Sequence, residues 1–319
     1  MAHEIEQMLY VGETPWHGLG VKLEKAPTTR EAIVAAGLDW KVGQKPLFTA
    51  EGERVRAFAN YRESDGRILG VVGPGSTPLQ NDEAFKFFDP FVQSGEAAIE
   101  TAGSLRDGER IWALAKIARD PSIIVPGDEV EKYLLLSNSH DGKVAVRVGF
   151  TPIRVVCANT LAAAHADGSS SLLRIFHHKR VAEAVEKASE IINIADQTFE
   201  ATAKQYRFLA ARGVSSKDLE TYVRRVFTAR PKFDEHGELE LGQAKLILPK
   251  VVEMFENGRG NTMRGVRGTY WAAYNAVTEY LAYGRGKDAG IRLDNLWFGS
   301  SANTNAKALD IAVEMAAAA

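Results

Sequence analysis

Apolar and polar positions alternate with a period of two through much of the first half of the chain. In the second half the period lengthens to the three-to-four spacing of a helix. Residues 55–61 and 67–72 read as two strands around Ser64-Asp65-Gly66, because an Asp-Gly pair supplies the positive φ angles that a tight hairpin turn requires. The same logic joins 97–105 to 110–117 at Asp107-Gly108, and 133–137 to 144–150 at Asp141-Gly142. Two short helices accompany these strands, one ahead of them and one between the first and second hairpins. One covers 28–36, with Thr28 or Thr29 as cap and Glu31 in its first turn. The other covers 82–88, capped by Asn81, burying Phe85 and Phe88, and broken or kinked at Pro90. Three hairpins with so little helix between them predict an antiparallel sheet rather than alternating βαβ units.

After Thr151-Pro152 the texture changes. Residues 153–165 are alanine-rich and read as helical, 167–171 form a Gly/Ser break, and 180–212 carry a long helical pattern through Val181, Val185, Ile191, Ile192, Ile194, Phe199 and Phe208. Further helices are predicted at 217–227 with Ser216 as cap, and at 244–256, 268–283 and 303–318; the acidic stretch 231–242 around His236-Gly237 reads as a surface loop. The fold class is therefore α+β, an antiparallel β-hairpin sheet in the N-terminal half and a mainly helical C-terminal half. Residues 1–166 and 167–319 form the two regions, which can pack as one continuous domain.

Composition narrows the function classes. The chain has 319 residues, 45% hydrophobic and 25% charged, with a formal net charge of −2, enough for one large or two modest cores. It has no run of about 18 apolar residues, and MAHEIEQMLY lacks the basic start and apolar core of an export signal, so a cytoplasmic protein with no membrane contact is expected. Cys157 is the sole cysteine, which excludes an internal disulfide and a cysteine-held metal cluster. The near-neutral total hides local asymmetry. Residues 171–232 hold twelve Lys/Arg against seven Asp/Glu, and 233–256 hold two against six, so any anion-binding face must be local.

Catalytic patterns are missing. Gly70-Val71-Val72-Gly73-Pro74-Gly75-Ser76-Thr77 lacks the Gly-Lys-Ser/Thr ending of a phosphate loop and reads as a turn between strand and helix. His177 and His178 are neighbours, about 100° apart on a helix, and no HExxH pair occurs. Ser139-His140-Asp141 are adjacent and so cannot form a through-space relay; they read as a turn. Cys157 sits among apolar residues, as an inert buried thiol does. Asp65, Glu100 and Asp141 are the carboxylates a nuclease would have to gather, yet no spacing supports them. A non-enzyme without cofactor or metal is expected.

The densest chemistry lies in 257–286, which packs Arg259, Arg264, Arg267, Arg285 and five aromatic residues against one acid, Glu279. Guanidinium groups neutralise phosphates and aromatic faces stack on unpaired bases, so this mixture suits a sequence-tolerant single-strand surface. Arg259, Arg264 and Arg267 are the phosphate candidates, with Tyr270, Trp271 and Tyr274 as stacking faces. The 3–4 spacing of Tyr270, Tyr274 and Val277 equally fits a buried helix face. Arg147, alternating with Val146 and Val148, and Arg154 complete the candidate set; Lys204, Arg207, Arg224 and Arg225 either extend the basic track or solvate their helices.

Several motifs occur in order: Pro15-Trp16-His17-Gly18-Leu19-Gly20, Gln80-Asn81, Glu100-Thr101-Ala102-Gly103-Ser104-Leu105, Leu135 to Gly142, Thr151 to Leu161, and Arg264 to Tyr280. Together they resemble the phage/plasmid-like protein family of unknown function, over a match from about residue 10 to the carboxyl end. One departure is Ala158, where the family motif carries a longer polar residue such as Gln. The resemblance implies a protein carried by phages, prophages or plasmids, and transfers no catalytic residue. At the level of fold and context the plan is similar to phage single-strand annealing proteins of the Red-beta and RecT kind. That analogy implies single-stranded DNA as partner and a homo-oligomer that anneals strands without nucleotide hydrolysis. The alternative is a protein-interaction module of a mobile element, a host-defence antagonist or virion-associated protein, using the Trp16-His17 loop and the helical half.

Overall fold

Each of the three turns built on an Asp-Gly pair joins neighbouring strands, with Gly66, Gly108 and Gly142 at φ of 74°, 90° and 75°. The computed structural model describes residues 5–12, 20–154, 159–160, 172–188, 195–228, 244–285, 295–296 and 299–319. Strands β1 (Ile5–Val11) and β2 (Val21–Leu23) precede helix α1 (Thr29–Ala35), and β3 (Val42–Phe48), β4 (Arg54–Arg62) and β5 (Ile68–Val72) form an antiparallel three-stranded sheet. Helices α2 (Asn81–Phe85) and α3 (Asp89–Gln93) flank a 3-10 turn and lead to β6 (Ala97–Leu105), β7 (Arg110–Ile117), β8 (Ser122–Val125), β9 (Asp128–Ser139) and β10 (Val146–Arg154). The short strands β11 (Asn159–Thr160) and β12 (Leu172–Ile175) follow. Then come α4 (Val181–Ala188), α5 (Ala195–Ala210), α6 (Ser216–Phe227), α7 (Ala244–Asn257), α8 (Tyr270–Glu279) and α9 (Ser300–Ala318). Sheets in the N-terminal half and helices mostly in the C-terminal half make the fold α+β.

The chain divides into two units that interleave along the sequence: residues 1–119, 132–150 and 170–196, and residues 120–131, 151–169 and 197–319. In the first, the large sheet runs β10-β9-β7-β6-β1-β2, with β12 on β10; β1 and β2 pair in parallel, and β6, β7 and β9 are antiparallel. Strand alternation turns Ile111, Ala113, Leu134, Leu136, Val146 and Val148 toward one core, where Phe85, Phe87 and Phe88 pack edge to face. Each such fully buried large side chain contributes roughly 1.5–3 kcal/mol. A capping box starts α1: Glu31 N–H donates to Thr28 Oγ1 at 3.3 Å, and Thr28 N–H to Glu31 Oε2 at 2.8 Å.

The second unit holds the β8–β9 hairpin start, Ser122 to Val130, and the helices from α5 onward. Its core gathers Tyr206, Tyr222, Trp271 and Tyr274 with Leu309 and Ala312. Helix α8 packs against α7 and α9, and all of its residues from Tyr270 to Thr278 are buried; the polar Asn275 and Thr278 among them donate to the helix's own carbonyls of Trp271 and Asn275.

Several sequence expectations shift. Gln80 and not Asn81 precedes α2; the Asn81 side chain turns inward, where Nδ2 donates to the Leu38 carbonyl at 2.9 Å. Ser215, one residue before the expected Ser216, caps α6. Pro90 does not break a helix but occupies the first turn of α3, where its missing N–H costs nothing. Ile153 and Arg154, expected to open a helix, continue β10 and pair with Thr160 and Asn159, because strand pairing outweighs the helix propensity of the alanines that follow. The 231–242 loop, the Trp16-His17 motif, Cys157 and most of the alanine-rich stretch lie outside the described residues.

Candidate nucleic-acid interface

The loop between α7 and α8 is built around one side chain. Asn261 is fully buried, and its Nδ2 donates to the Met254 carbonyl at 2.9 Å and the Ala272 carbonyl at 3.1 Å, tying the end of α7 to the first turn of α8. Gly258 must be glycine: a Cβ there would lie 2.2 Å from the Met254 carbonyl oxygen. Gly260, Gly265 and Gly268 take φ of 73°, 85° and 75°, the left-handed region where glycine is at ease. Backbone N–H groups of Val266 and Arg267 both donate to Met263 O at 3.1 Å, and Thr269 caps α8 by accepting from Ala272 N–H. Glycine therefore lets the chain turn tightly, and the arginines ride on the outside of a pinned backbone.

Arg259, Arg264 and Arg267 are all exposed. The Arg259 guanidinium lies over the Tyr283 ring, 5.6 Å from its centre. Among the described residues neither Arg264 nor Arg267 has an acidic partner. A bridge between Gly213 and Thr269, in which Val214 N–H donates to Gly268 O and Tyr270 N–H to Arg212 O, brings the exposed Arg212 to the same edge. Sequence reasoning missed Arg212, since only this long-range bridge makes it a neighbour. Its guanidinium lies over the Phe208 ring, 5.3 Å from the centre.

The aromatic candidates go the other way. Tyr270, Trp271 and Tyr274 are at most 1% exposed, so the stacking faces anticipated there are core contacts instead. Trp271 packs against Tyr206 with centroids 4.7 Å apart, and the Tyr274 hydroxyl donates to Asn305 Oδ1 at 2.9 Å. The reason is the 3–4 spacing itself, which serves the core. Arg147 is half-buried on β10 in the first unit, while Arg154 closes that strand in the second. The basic track does not extend along α6: Arg224 pairs with Glu220, and Arg225 with Glu314 at 2.6 Å. Arg207 is also engaged, donating from Nε to the Ile123 carbonyl at 2.9 Å.

In the first unit, Ser139-His140-Asp141 is a buried polar knot. Asn60 Nδ2 donates to the His140 carbonyl at 2.8 Å. Asn81 Nδ2 is already committed to Leu38, so Asn81 Oδ1 accepts from His140 Nε2–H at 3.0 Å; this fixes the tautomer and leaves the buried Nδ1 without a partner. Burial, and then the nearby His177, hold the His140 pKa down at about 3. Asp141 accepts from Ser139 Oγ, from Lys143 N–H at 2.9 Å and from Arg110 at 3.3 Å. Gly70 presses on this turn so closely that a Cβ would sit 2.5 Å from the Asp141 Cα. The knot locks the three-stranded sheet against the β9–β10 turn. The nuclease carboxylates have separate partners: Asp65 binds Arg62, and Glu100 accepts from the Tyr133 hydroxyl at 2.6 Å. Among the described residues no three His, Cys, Asp or Glu side chains form a metal-holding group, and no helix is long and apolar enough to cross a membrane.

A family model described as a domain of unknown function, DUF932, matches residues 68–310. No curated protein and no solved structure matches the chain.

Proposed function

We propose a function for a chain that belongs to the DUF932 family of unknown function: it binds the backbone of single-stranded DNA and, as a homo-oligomer, promotes annealing without nucleotide hydrolysis. The observation that carries this reading is the pinned α7–α8 loop, which holds Arg264 and Arg267 exposed and without acidic partners among the described residues, beside Arg212. Guanidinium groups in such an array neutralise phosphates and leave base edges available to a complementary strand. Catalysis is then positional, by concentrating and extending strands, with no covalent step. The resemblance to phage- and plasmid-borne proteins supports this context. With α8 buried, its rings make no contribution to binding. The test is salt-titrated binding of a fluorescent oligo(dT) to the parent and to the Arg264→Ala/Arg267→Ala variant. The expected result is weaker binding with a salt slope shallower by about 0.7 for each phosphate no longer neutralised; an unchanged slope in a folded variant overturns the reading.

A second reading, a protein-interaction module, is favoured by one feature. The outer face of the β3–β4–β5 sheet presents Val55, Ile68 and Val71, the last 58% exposed, where an open sheet face is ordinarily polar. Such a face suits cover by another protein surface. This reading predicts indifference to nucleic acid and a stoichiometric protein complex.

A further inference from the structure

Burial of the α8 rings leaves the single-strand reading without a base-stacking group, and a different segment carries one. The stretch Leu172-Leu173-Arg174-Ile175-Phe176-His177-His178-Lys179-Arg180 contains three Lys/Arg and two His and no acid. Its first four residues are β12, which pairs antiparallel with β10 over Val146 to Gly149. Val146 and Val148 are core residues opposite Ile175 and Leu173, so the intervening pair, Arg147 and Arg174, lies on the other face of the two strands. Phe176 stands one residue beyond the strand, at the alternation position of Arg174, and is 70% exposed. Lys179 and Arg180 follow, also exposed, in a turn fixed by Arg180 N–H donating to His178 Nδ1 at 3.1 Å.

Two features of this patch are locally unfavourable in the free protein. Cross-strand pairing sets Arg147 directly opposite Arg174, and like charges in that relation repel. Burial, followed by the cations of Arg174 and Arg110, pulls the Arg147 pKa below its ordinary value. A large ring in water is the second cost. Among the described residues β12 pairs with β10 alone, and cationic side chains on such an edge guard against edge-to-edge association, which accounts for a charge at Arg174 but not for an exposed Phe176. An exposed ring in a segment that carries three cations and no acid has the chemistry on which a base stacks between bound phosphates.

We infer that the β12 edge and the turn after it form a second single-strand DNA site, in which Phe176 stacks on a base and Arg174, Lys179 and Arg180, with Arg147 behind them, hold the flanking phosphates. The inference rests on the single-strand reading and assigns to the first unit the stacking function once expected of α8. The experiment compares oligo(dT) binding across salt for the parent, Phe176→Ala, Phe176→Tyr, Arg174→Ala/Lys179→Ala/Arg180→Ala and Arg264→Ala/Arg267→Ala, with circular dichroism confirming each fold. Expected are a loss of about tenfold or more for Phe176→Ala at unchanged salt slope, near-parent binding for Phe176→Tyr, and, for the triple variant, a slope shallower by about 0.7 for each phosphate it ceases to neutralise. Parent-like binding by Phe176→Ala and the triple variant, alongside weakened binding by the Arg264/Arg267 variant, overturns this inference alone. Failure of the folded parent to bind at low salt overturns the single-strand reading and this second site with it.

Discussion

Trp271 Nε1 donates to Asp128 Oδ2 at 2.8 Å, with both residues fully buried and 143 positions apart in the chain. The bond ties the first residue of β9 to the central helix α8, and it explains why an indole can sit wholly in the core: its N–H reaches a partner there. Asp128→Ala leaves that donor unsatisfied. The expected cost is about 1–3 kcal/mol, read as a lower urea midpoint at unchanged slope. Trp271→Phe in the same background should recover part of the loss, because it removes the stranded N–H; a full additive penalty in the double variant contradicts the assignment.

Asn261 carries the α7–α8 loop. Asn261→Ala removes the bonds to Met254 O and Ala272 O from a fully buried position, so a loss of about 1–3 kcal/mol is expected. Asn261→Asp tests the direction of those bonds, since a carboxylate cannot donate to two carbonyls, and it should be at least as damaging. Thermal unfolding of the two variants checks both statements; a parent-like Asn261→Asp melting temperature contradicts the donor role.

His140 makes stability depend on pH. Its imidazole titrates near 6.5 when unfolded and at about 3 in the fold, where burial disfavours the cation. Above pH 6.5 both states are neutral and the full contribution is present. As pH falls below 6.5 the unfolded chain takes up a proton that the folded chain refuses. Stability from this group therefore declines by about 1.4 kcal/mol per pH unit until about pH 3. His177, also lowered chiefly by burial, acts in the same sense, whereas Glu109, raised chiefly by burial, gains stability as pH falls toward its unfolded range. His140→Gln isolates the effect: urea midpoints at pH 7.5 and 5 should differ less in the variant than in the parent.

The turns and the first helix cap were legible in the sequence because each depends on local chemistry. Asp107-Gly108 and Thr28 with Glu31 need only their neighbours, and both appear as expected. Strand β1 escaped because its antiparallel partner β6 lies far along the chain, and β3 and β8, which pair with the next strand, turn without an Asp-Gly pair. The α8 rings show a different limit: a helical stripe of aromatics reads the same whether it faces a base or a core, and only packing against Tyr206 and Asn305 decides. Arg212 and Phe176 were passed over for a related reason. Their significance comes from the Gly213–Thr269 bridge and the β10–β12 register, neither of which leaves a local pattern.

The open face of β3–β4–β5 bears on self-association. Ile68 and Val71 sit opposite Tyr61 and Ala59 on β4, and both are exposed. Ile68→Asp/Val71→Asp places two charges on that face without touching the core. If a second copy covers it, light scattering will record a shift to a smaller species with unchanged helix content; an unchanged mass at the same concentration assigns self-association to another surface.

Arginines of one unit can be sorted by their partners. Arg264 and Arg267 project from the loop with no acid among the described residues to hold them, while Arg224 and Arg225 are paired with Glu220 and Glu314. A phosphate can recruit a paired guanidinium only by displacing its carboxylate, which offsets the gain. Arg224→Ala/Arg225→Ala should therefore leave the salt dependence of oligo(dT) binding near that of the parent, although it removes as much positive charge as Arg264→Ala/Arg267→Ala. The loop variant should lose affinity and slope together. Equal losses in the two variants would mean that net charge alone drives binding, and that the pinned geometry of the α7–α8 loop does not select the bound phosphates.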